Sequence, residues 1–121
     1  MARAKPAGLA TAHARTVAFQ GIEVRPVEVQ VQLSAGLPAF TVVGLADKAV
    51  TESRERVRAA IAALGLALPA KRLTVNLAPA DIQKEGSHYD LPIAMAVLEA
   101  LAAVAEGAFA GATMLGELGL D

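Results

Sequence analysis

The sequence has no cysteine and no tryptophan. Without thiols, neither a disulfide framework nor a thiolate metal centre can form. Its two histidines, His13 and His88, are too few to make a zinc site by themselves. Aromatics are limited to Phe19, Phe40, Tyr89 and Phe109, so a core has to be built from aliphatic residues and the 28 alanines. Charged residues make up 19% of the chain and the net charge is −1. That balance excludes a disordered charged tail and any general attraction to nucleic acid or anionic membranes. Long hydrophobic runs are missing too. The longest, Leu91 to Ala105, is interrupted by Glu99, and as a helix it would span roughly 22 Å, too short for a bilayer. The first fifteen residues carry Arg3, Lys5, His13 and Arg15 and lack an unbroken apolar stretch of signal-peptide type. A chain of 121 residues fits one domain. The expectation is a soluble cytoplasmic protein with no membrane partner, in which residues 1–8 form a flexible extension and 9–121 the domain.

What is present is patterned. Thr16 to Phe19 leads to a turn at Gly21. Beyond it Val24, Pro26, Glu28, Gln30 and Gln32 share one strand face, and Val27, Val29, Val31 and Leu33 the other. Pro26 places the start of this strand at a sheet edge or a bulge. After the turn Ser34–Pro38, Phe40 to Val43 reads as another strand, and the short link predicts antiparallel pairing of the two. Asp47 is an N-cap for a helix with Val50, Val57, Ile61 and Leu64 on one face and Gly65 as its stop. On that helix Glu52 and Arg56 form a favourable i,i+4 pair, while Arg54 and Arg58 share a flank from which Arg56 points away. Arg72 to Leu77 is a fourth strand. A long loop, Ala78 to Tyr89, holds most of the polar chemistry. Asp90 caps a second helix, Leu91 to about Ala105, whose single charge, Glu99, predicts burial on several sides. Thr113 to Leu118 reads as a last strand. The chain then stops where a hairpin should turn, which suggests a piece of a longer protein.

Three blocks are specific in combination: Ser34-Ala35-Gly36-Leu37-Pro38-Ala39-Phe40-Thr41-Val42-Val43-Gly44-Leu45; Glu52-Ser53-Arg54-Glu55-Arg56-Val57-Arg58-Ala59-Ala60; and Val75-Asn76-Leu77-Ala78-Pro79-Ala80-Asp81, leading through Lys84-Glu85-Gly86 to Asp90-Leu91-Pro92-Ile93-Ala94. Their order and spacing resemble the N-terminal domain of the magnesium-chelatase-like AAA+ ATPases, the ComM/YifB family, over nearly the whole chain. Gly116-Glu117-Leu118 is similar to a family strand that continues into further structure. The resemblance implies an α+β fold like the Lon proteolytic domain, with a mixed sheet and two main helices. It also implies an ATPase domain after this one, using ATP and Mg²⁺, in a bacterial, cytoplasmic ring of sister subunits implicated in DNA branch migration during natural transformation.

The Lon likeness raises the question of peptidase chemistry. Lon-type peptidases use a serine with a lysine base lying well downstream, desolvated enough to accept the hydroxyl proton. Ser87 is the weak catalytic candidate, although alignment of Asp90-Leu91 brings the nucleophile column nearer His88. All four lysines, Lys5, Lys48, Lys71 and Lys84, precede Ser87. The expectation is therefore no catalytic residue. No glycine is followed by lysine, so the phosphate-binding loop Gly-x-x-x-x-Gly-Lys-Ser/Thr is absent and no cofactor site is expected in this chain. Arg54, Arg58, Lys71, Arg72 and Lys84 form a candidate basic patch for DNA, weighed against a solvated face with interleaved glutamates. In a further alternative, Arg54 or Arg58 reaches Asp81, Glu85 or Asp90 and braces the long loop. An approach of Asp81 to Asp90 offers a weak metal site. The leading function is a non-catalytic accessory domain that aids ring assembly or positions DNA or partners. Its rivals are a Lon-like serine peptidase and a stand-alone DNA-binding module.

Overall fold

The computed structural model describes residues 10–119, so the expected extension at 1–8 lies outside the described residues. Strands β1 (Ala10–Gln20) and β2 (Glu23–Ser34) form a hairpin that turns at Gly21, where φ is +60°. Strand β3 (Ala39–Val43) leads to a helical turn α1 (Lys48–Thr51) and helix α2 (Ser53–Ala63). Strand β4 (Arg72–Ala78) and helix α3 (Asp90–Ala100) follow. The four strands make one sheet in the order β1-β2-β4-β3. It is a mixed sheet, and with the helices it gives a two-layer α+β fold.

Register explains the core. Ala12, Ala14 and Thr16 lie opposite Val31, Val29 and Val27, and β2 in turn sets Val29, Val31 and Leu33 against Leu77, Val75 and Leu73 of β4. These residues are buried and point to one face, where α3 packs on β1 and β2, and α2 packs on α3 and β3. The alanines of β1 give α3 room to come close, and α3 itself is buried nearly all round, through Ile93, Ala94, Ala96, Val97 and Leu98. The opposite face carries His13, Glu28, Gln30, Gln32 and Asn76, the wet face that the period of two in β2 requires. Pro26 fits the edge rule, because the β4 ladder reaches only to Glu28 and leaves that part of β2 with one neighbour.

Four sequence expectations change. Strands β2 and β3 are not antiparallel neighbours: β4 lies between them, and β3 runs parallel to β4. The four residues between them reach roughly 13 Å, enough to step over one strand and span about 10 Å of sheet. The helical crossover from β3 to β4 permits the parallel return. Second, α3 ends at Ala100, short of the expected end near Ala105, with a turn through Ala102 at φ +59°. Third, Thr113–Leu118 is not a strand. Thr113 makes one parallel bridge to Arg15, and Gly116 then exchanges backbone hydrogen bonds with His88 and Leu91, docking the segment beside α3. Leu64 also leaves the apolar face: it is the C-cap of α2 and is 65% exposed. Asp47 caps as expected, its carboxylate accepting the Val50 amide at 2.8 Å.

Gly44 fixes how closely β3 leaves the sheet. Its φ is +112°, and a Cβ there would run into the Leu77 carbonyl of β4. Gly44→Ala is therefore expected to lower stability by about 2–4 kcal/mol in urea unfolding. An unchanged midpoint would refute this account of the β3 exit.

Candidate functional site

The polar residues of the sequence motifs converge on Asp90. It is the first residue of α3 and fully buried. Its Oδ1 accepts from the Ser53 hydroxyl at the start of α2 and from Arg56 Nη2 at 3.1 Å. Its Oδ2 accepts from Arg56 Nε at 2.6 Å and from the Leu118 amide at 3.0 Å. Arg56 Nη2 also donates to the Ala49 carbonyl at 2.9 Å, tying in α1. The hydrogen bonds and charge of Asp90 raise the Arg56 pKa above its ordinary value, against the opposing effect of burial. Four segments are thus held on one carboxylate: α1, the first turns of α2, the start of α3 and the 113–119 tail.

This brace corrects four expectations. The bracing arginine is Arg56, not Arg54 or Arg58. It is therefore not paired with Glu52; the α1–α2 surface pairs are Lys48–Glu52 at 3.9 Å and Arg54–Glu55 at 3.8 Å. Asp90 does not cap α3 either, since Tyr89 holds the N-cap position and the Asp90 carboxylate is engaged elsewhere. It does not face Asp81, which is exposed, and no group of three or more metal-binding side chains occurs among the described residues. The sequence pattern assigns Ser53 no role of its own. It lies three residues after Val50 and four before Val57, on the buried face, where a hydroxyl requires a partner.

The proposed basic patch is divided. Lys84 is fully buried, and its ammonium donates to the Pro79 carbonyl. Burial lowers its pKa, with Asp81 acting in the opposite direction. It cannot touch DNA. The signal lay in the loop's alternation: Ile82 and Lys84 are buried while Asp81, Gln83 and Glu85 are exposed. Lys84 also exchanges backbone hydrogen bonds with Leu45 and Asp47, so the loop adds a short bridge beyond β3. Arg54 sits on the helix surface beside Glu55. Arg58 and Lys71 line one groove of about 270 Å³, and exposed Arg72 follows Lys71 at the start of β4.

Ser87 lies partly exposed in the turn before α3, where its carbonyl accepts the Asp90 amide at 3.2 Å. Its hydroxyl makes no hydrogen bond to a basic side chain among the described residues. The neighbouring His88 turns away, with Nε2 2.6 Å from the Val17 carbonyl and its ring against Phe19 and Tyr89. His13 is exposed and its Nδ1 lies 2.6 Å from Glu28. A wider cleft of about 870 Å³ runs beside β1, with His13, Thr16, Glu28, Glu99 and Phe109 among its lining residues. None of the sequence candidates lies in it.

The model of the Mg-chelatase subunit ChlI family matches residues 29–121. YifB of Salmonella typhimurium, an uncharacterized protein, is 46% identical over 112 residues, which cover 93% of this chain and 22% of that protein. The competence protein ComM of Haemophilus influenzae is 51% identical over 83 residues, 69% of this chain and 16% of ComM. An uncharacterized Mycobacterium tuberculosis protein is 42% identical over 113 residues. This chain belongs to the magnesium-chelatase-like ComM/YifB family. It spans about a fifth of the length of the relatives it matches. Within this family member, two of the blocks that carried the resemblance, Glu52–Arg58 and Asp90–Pro92, meet at the Asp90 brace. The blocks around Gly44 and Leu77 meet at the β3 exit. No helix among the described residues is long and apolar enough to cross a membrane.

Arg56→Ala leaves a buried carboxylate without its counter-charge and is expected to cost about 3–5 kcal/mol in urea unfolding. Arg56→Lys should recover only part, because an ammonium cannot reproduce the two-pronged contact. The Leu118 amide should exchange faster in both variants, and unchanged exchange there would separate the tail from the brace.

Tyr89 supplies a second check. It is fully buried, its hydroxyl has no partner among the described residues, and burial, with Asp47 and Glu85, pushes its pKa up to about 12. An unfolded tyrosine ionises near 10. The unfolded chain therefore loses its proton first, and stability that is intact below about pH 10 falls as pH rises toward 12. Tyr89→Phe should match or exceed the parent Tm at pH 7 and lose about 1 kcal/mol less than the parent by pH 11. Equal alkaline losses in the two proteins would contradict this assignment.

Proposed function

We propose that this chain is a non-catalytic accessory domain of an AAA+ ATPase of ComM/YifB type, which helps the parent's ring of sister subunits assemble or positions DNA or protein partners. The observation that supports this reading is where the motif residues go. Ser53, Arg56 and Asp90 satisfy one another, and Ser53 and Asp90 are removed from solvent altogether. Such a constellation holds elements in place and presents no group to a substrate. Ser87 lacks the activating amine that a hydroxyl nucleophile needs, and the Lys84 ammonium is directed to the Pro79 carbonyl.

The residues of this chain do not fit ATP, because no glycine is followed by the lysine of a phosphate-binding loop. In this reading ATP and Mg²⁺ bind elsewhere in a longer cytoplasmic parent. The name of the Haemophilus relative, a competence protein, supports placing that parent in DNA processing, with branch migration during natural transformation as the proposed role.

The test uses the whole parent protein. Hydrolysis of a fluorogenic peptide by the parent and by Ser87→Ala is expected to be equal and at background. Arg56→Ala, which loosens the domain, is expected to reduce ATP-dependent ring assembly in analytical ultracentrifugation. Serine-dependent cleavage would overturn the accessory role in favour of the Lon-like peptidase.

A further inference from the structure

The two outer edges of the sheet are finished differently. The free side of β1 is occupied: Glu99 accepts the His13 amide at 3.4 Å, the Met114 amide donates to the Arg15 carbonyl at 2.8 Å, and His88 holds the Val17 carbonyl. Glu99, the one charge on α3, also accepts the Gly107 amide at 2.8 Å and so anchors the loop beside that edge. Strand β3 has no such cover. It pairs with β4 on one side only, and among the described residues no strand lies on its other side. Its sequence, Ala39-Phe40-Thr41-Val42-Val43, contains neither a charge nor a proline, the usual devices that keep an edge from pairing. Large apolar side chains flank it in the open, with Leu37 80% and Leu45 51% exposed.

Beside this edge lies the groove of about 270 Å³, floored by Phe40, Leu68 and Leu73 and bordered by Arg58 and Lys71. The Arg58 guanidinium carbon lies over the Phe40 ring, 5.6 Å from its centroid. A cation held over an aromatic face keeps N–H donors that can meet a carboxylate in two-pronged fashion. Neither Arg58, Lys71 nor Arg72 forms an ion pair among the described residues, in contrast to Arg54 and Arg56.

We infer that the open edge of β3 and the adjoining cationic groove form one docking site for an extended protein segment in which apolar residues alternate with carboxylates. Alternate residues of the segment add backbone hydrogen bonds to β3, its apolar side chains cover Leu37 and Leu45, and a carboxylate reaches Arg58 and Lys71. A strand edge reads peptide backbone, and the aromatic beside the groove is buried rather than offered for base stacking, so the chemistry favours a protein over single-stranded nucleic acid. This deepens the accessory reading by naming a partner. Its test is a binding measurement, separable from ring assembly and from peptide cleavage.

The probe is an array of seven-residue peptides in which valine, leucine or threonine alternates with glutamate, matched to an array with lysine in place of glutamate. The strongest binder is then titrated by fluorescence polarisation against the 121-residue chain. The glutamate peptides are expected to bind in preference, with perturbation in NMR spectra of the Phe40 and Val42 amides, which face away from β4. Arg58→Ala with Lys71→Ala should weaken binding about tenfold or more, the loss of charged hydrogen bonds to one carboxylate. Thr41→Glu, at an exposed position of β3, should do so by setting a charge beside the segment's apolar side chains, while leaving the circular dichroism spectrum unchanged. Equal binding of the lysine array, no binding at millimolar peptide, amide shifts at β1 rather than β3, or preference for a single-stranded oligonucleotide would each overturn the proposal.

Discussion

A carboxylate without exposure is the constraint around which this domain is arranged. A buried, ionised group is costly unless its charge is countered and its lone pairs are filled. Asp90 meets both demands by recruiting the Arg56 guanidinium, the Ser53 hydroxyl and the Leu118 amide. Those donors come from α2 and the 113–119 tail, and Arg56 extends the connection to α1 through the Ala49 carbonyl. Helix–helix contact in an alanine-rich core supplies little directional information, since small side chains pack in several ways. The brace supplies what the core lacks: it sets the position of α2 against α3 and ties the tail to both.

The other close fit of the fold is made by backbone rather than charge. Gly44 leaves β3 at a φ reserved for glycine and passes the Leu77 carbonyl where no Cβ would fit. From there the chain bonds to Lys84, whose amide and carbonyl pair with Leu45 and Asp47. Lys84 is then forced inward by the alternation of its own loop, and its ammonium finds the Pro79 carbonyl. A buried lysine here follows from the geometry of β3, the loop and β4 together. Gly44, Ser53, Arg56, Lys84 and Asp90, all within or between the three sequence blocks, thus contact distant segments through backbone or side chain.

Legibility in the sequence followed the range of the interaction involved. The period of two in β2 and β4, the Asp47 cap and the all-round apolarity of α3 are local signals, and each survives in the structure. The position of β4 between β2 and β3 was not legible, because a four-residue link is compatible with either direct pairing or a step over one strand. The end of α3 was misread because Ala102 takes a left-handed conformation without being glycine. Among the candidate residues, charge alone could not distinguish Arg56 from Arg54 and Arg58. Burial separates them: Arg56 has 16% of its side chain exposed beside a wholly buried partner, whereas Arg54 has 43%. Ser53 was the available clue, a hydroxyl placed between Val50 and Val57 on the apolar face, one turn before the arginine that joins it on Asp90.

How the cations are used bears on what such a domain can do. Arg56 and Lys84 are used internally, one on a carboxylate and the other on a carbonyl, and Arg54 stands next to a glutamate. Of the candidate cations, Arg58, Lys71 and Arg72 remain, all near the end of the sheet where β3 and β4 begin, while Arg15 and Arg25 lie apart from them on β1 and β2. The net charge of −1 hides this segregation, because the acids are distributed elsewhere: Glu28 beside His13, Glu99 on the β1 edge, and Glu52 and Glu55 on the helix surface. An edge strand without charges lies next to cations without partners, while the opposite edge is covered by the protein's own groups. Solubility alone would favour the reverse, with charges on the bare edge. The arrangement makes sense if the β3 end of the sheet is normally occupied, which moves the functional question from the loop before α3 to the surface on the other side of the molecule.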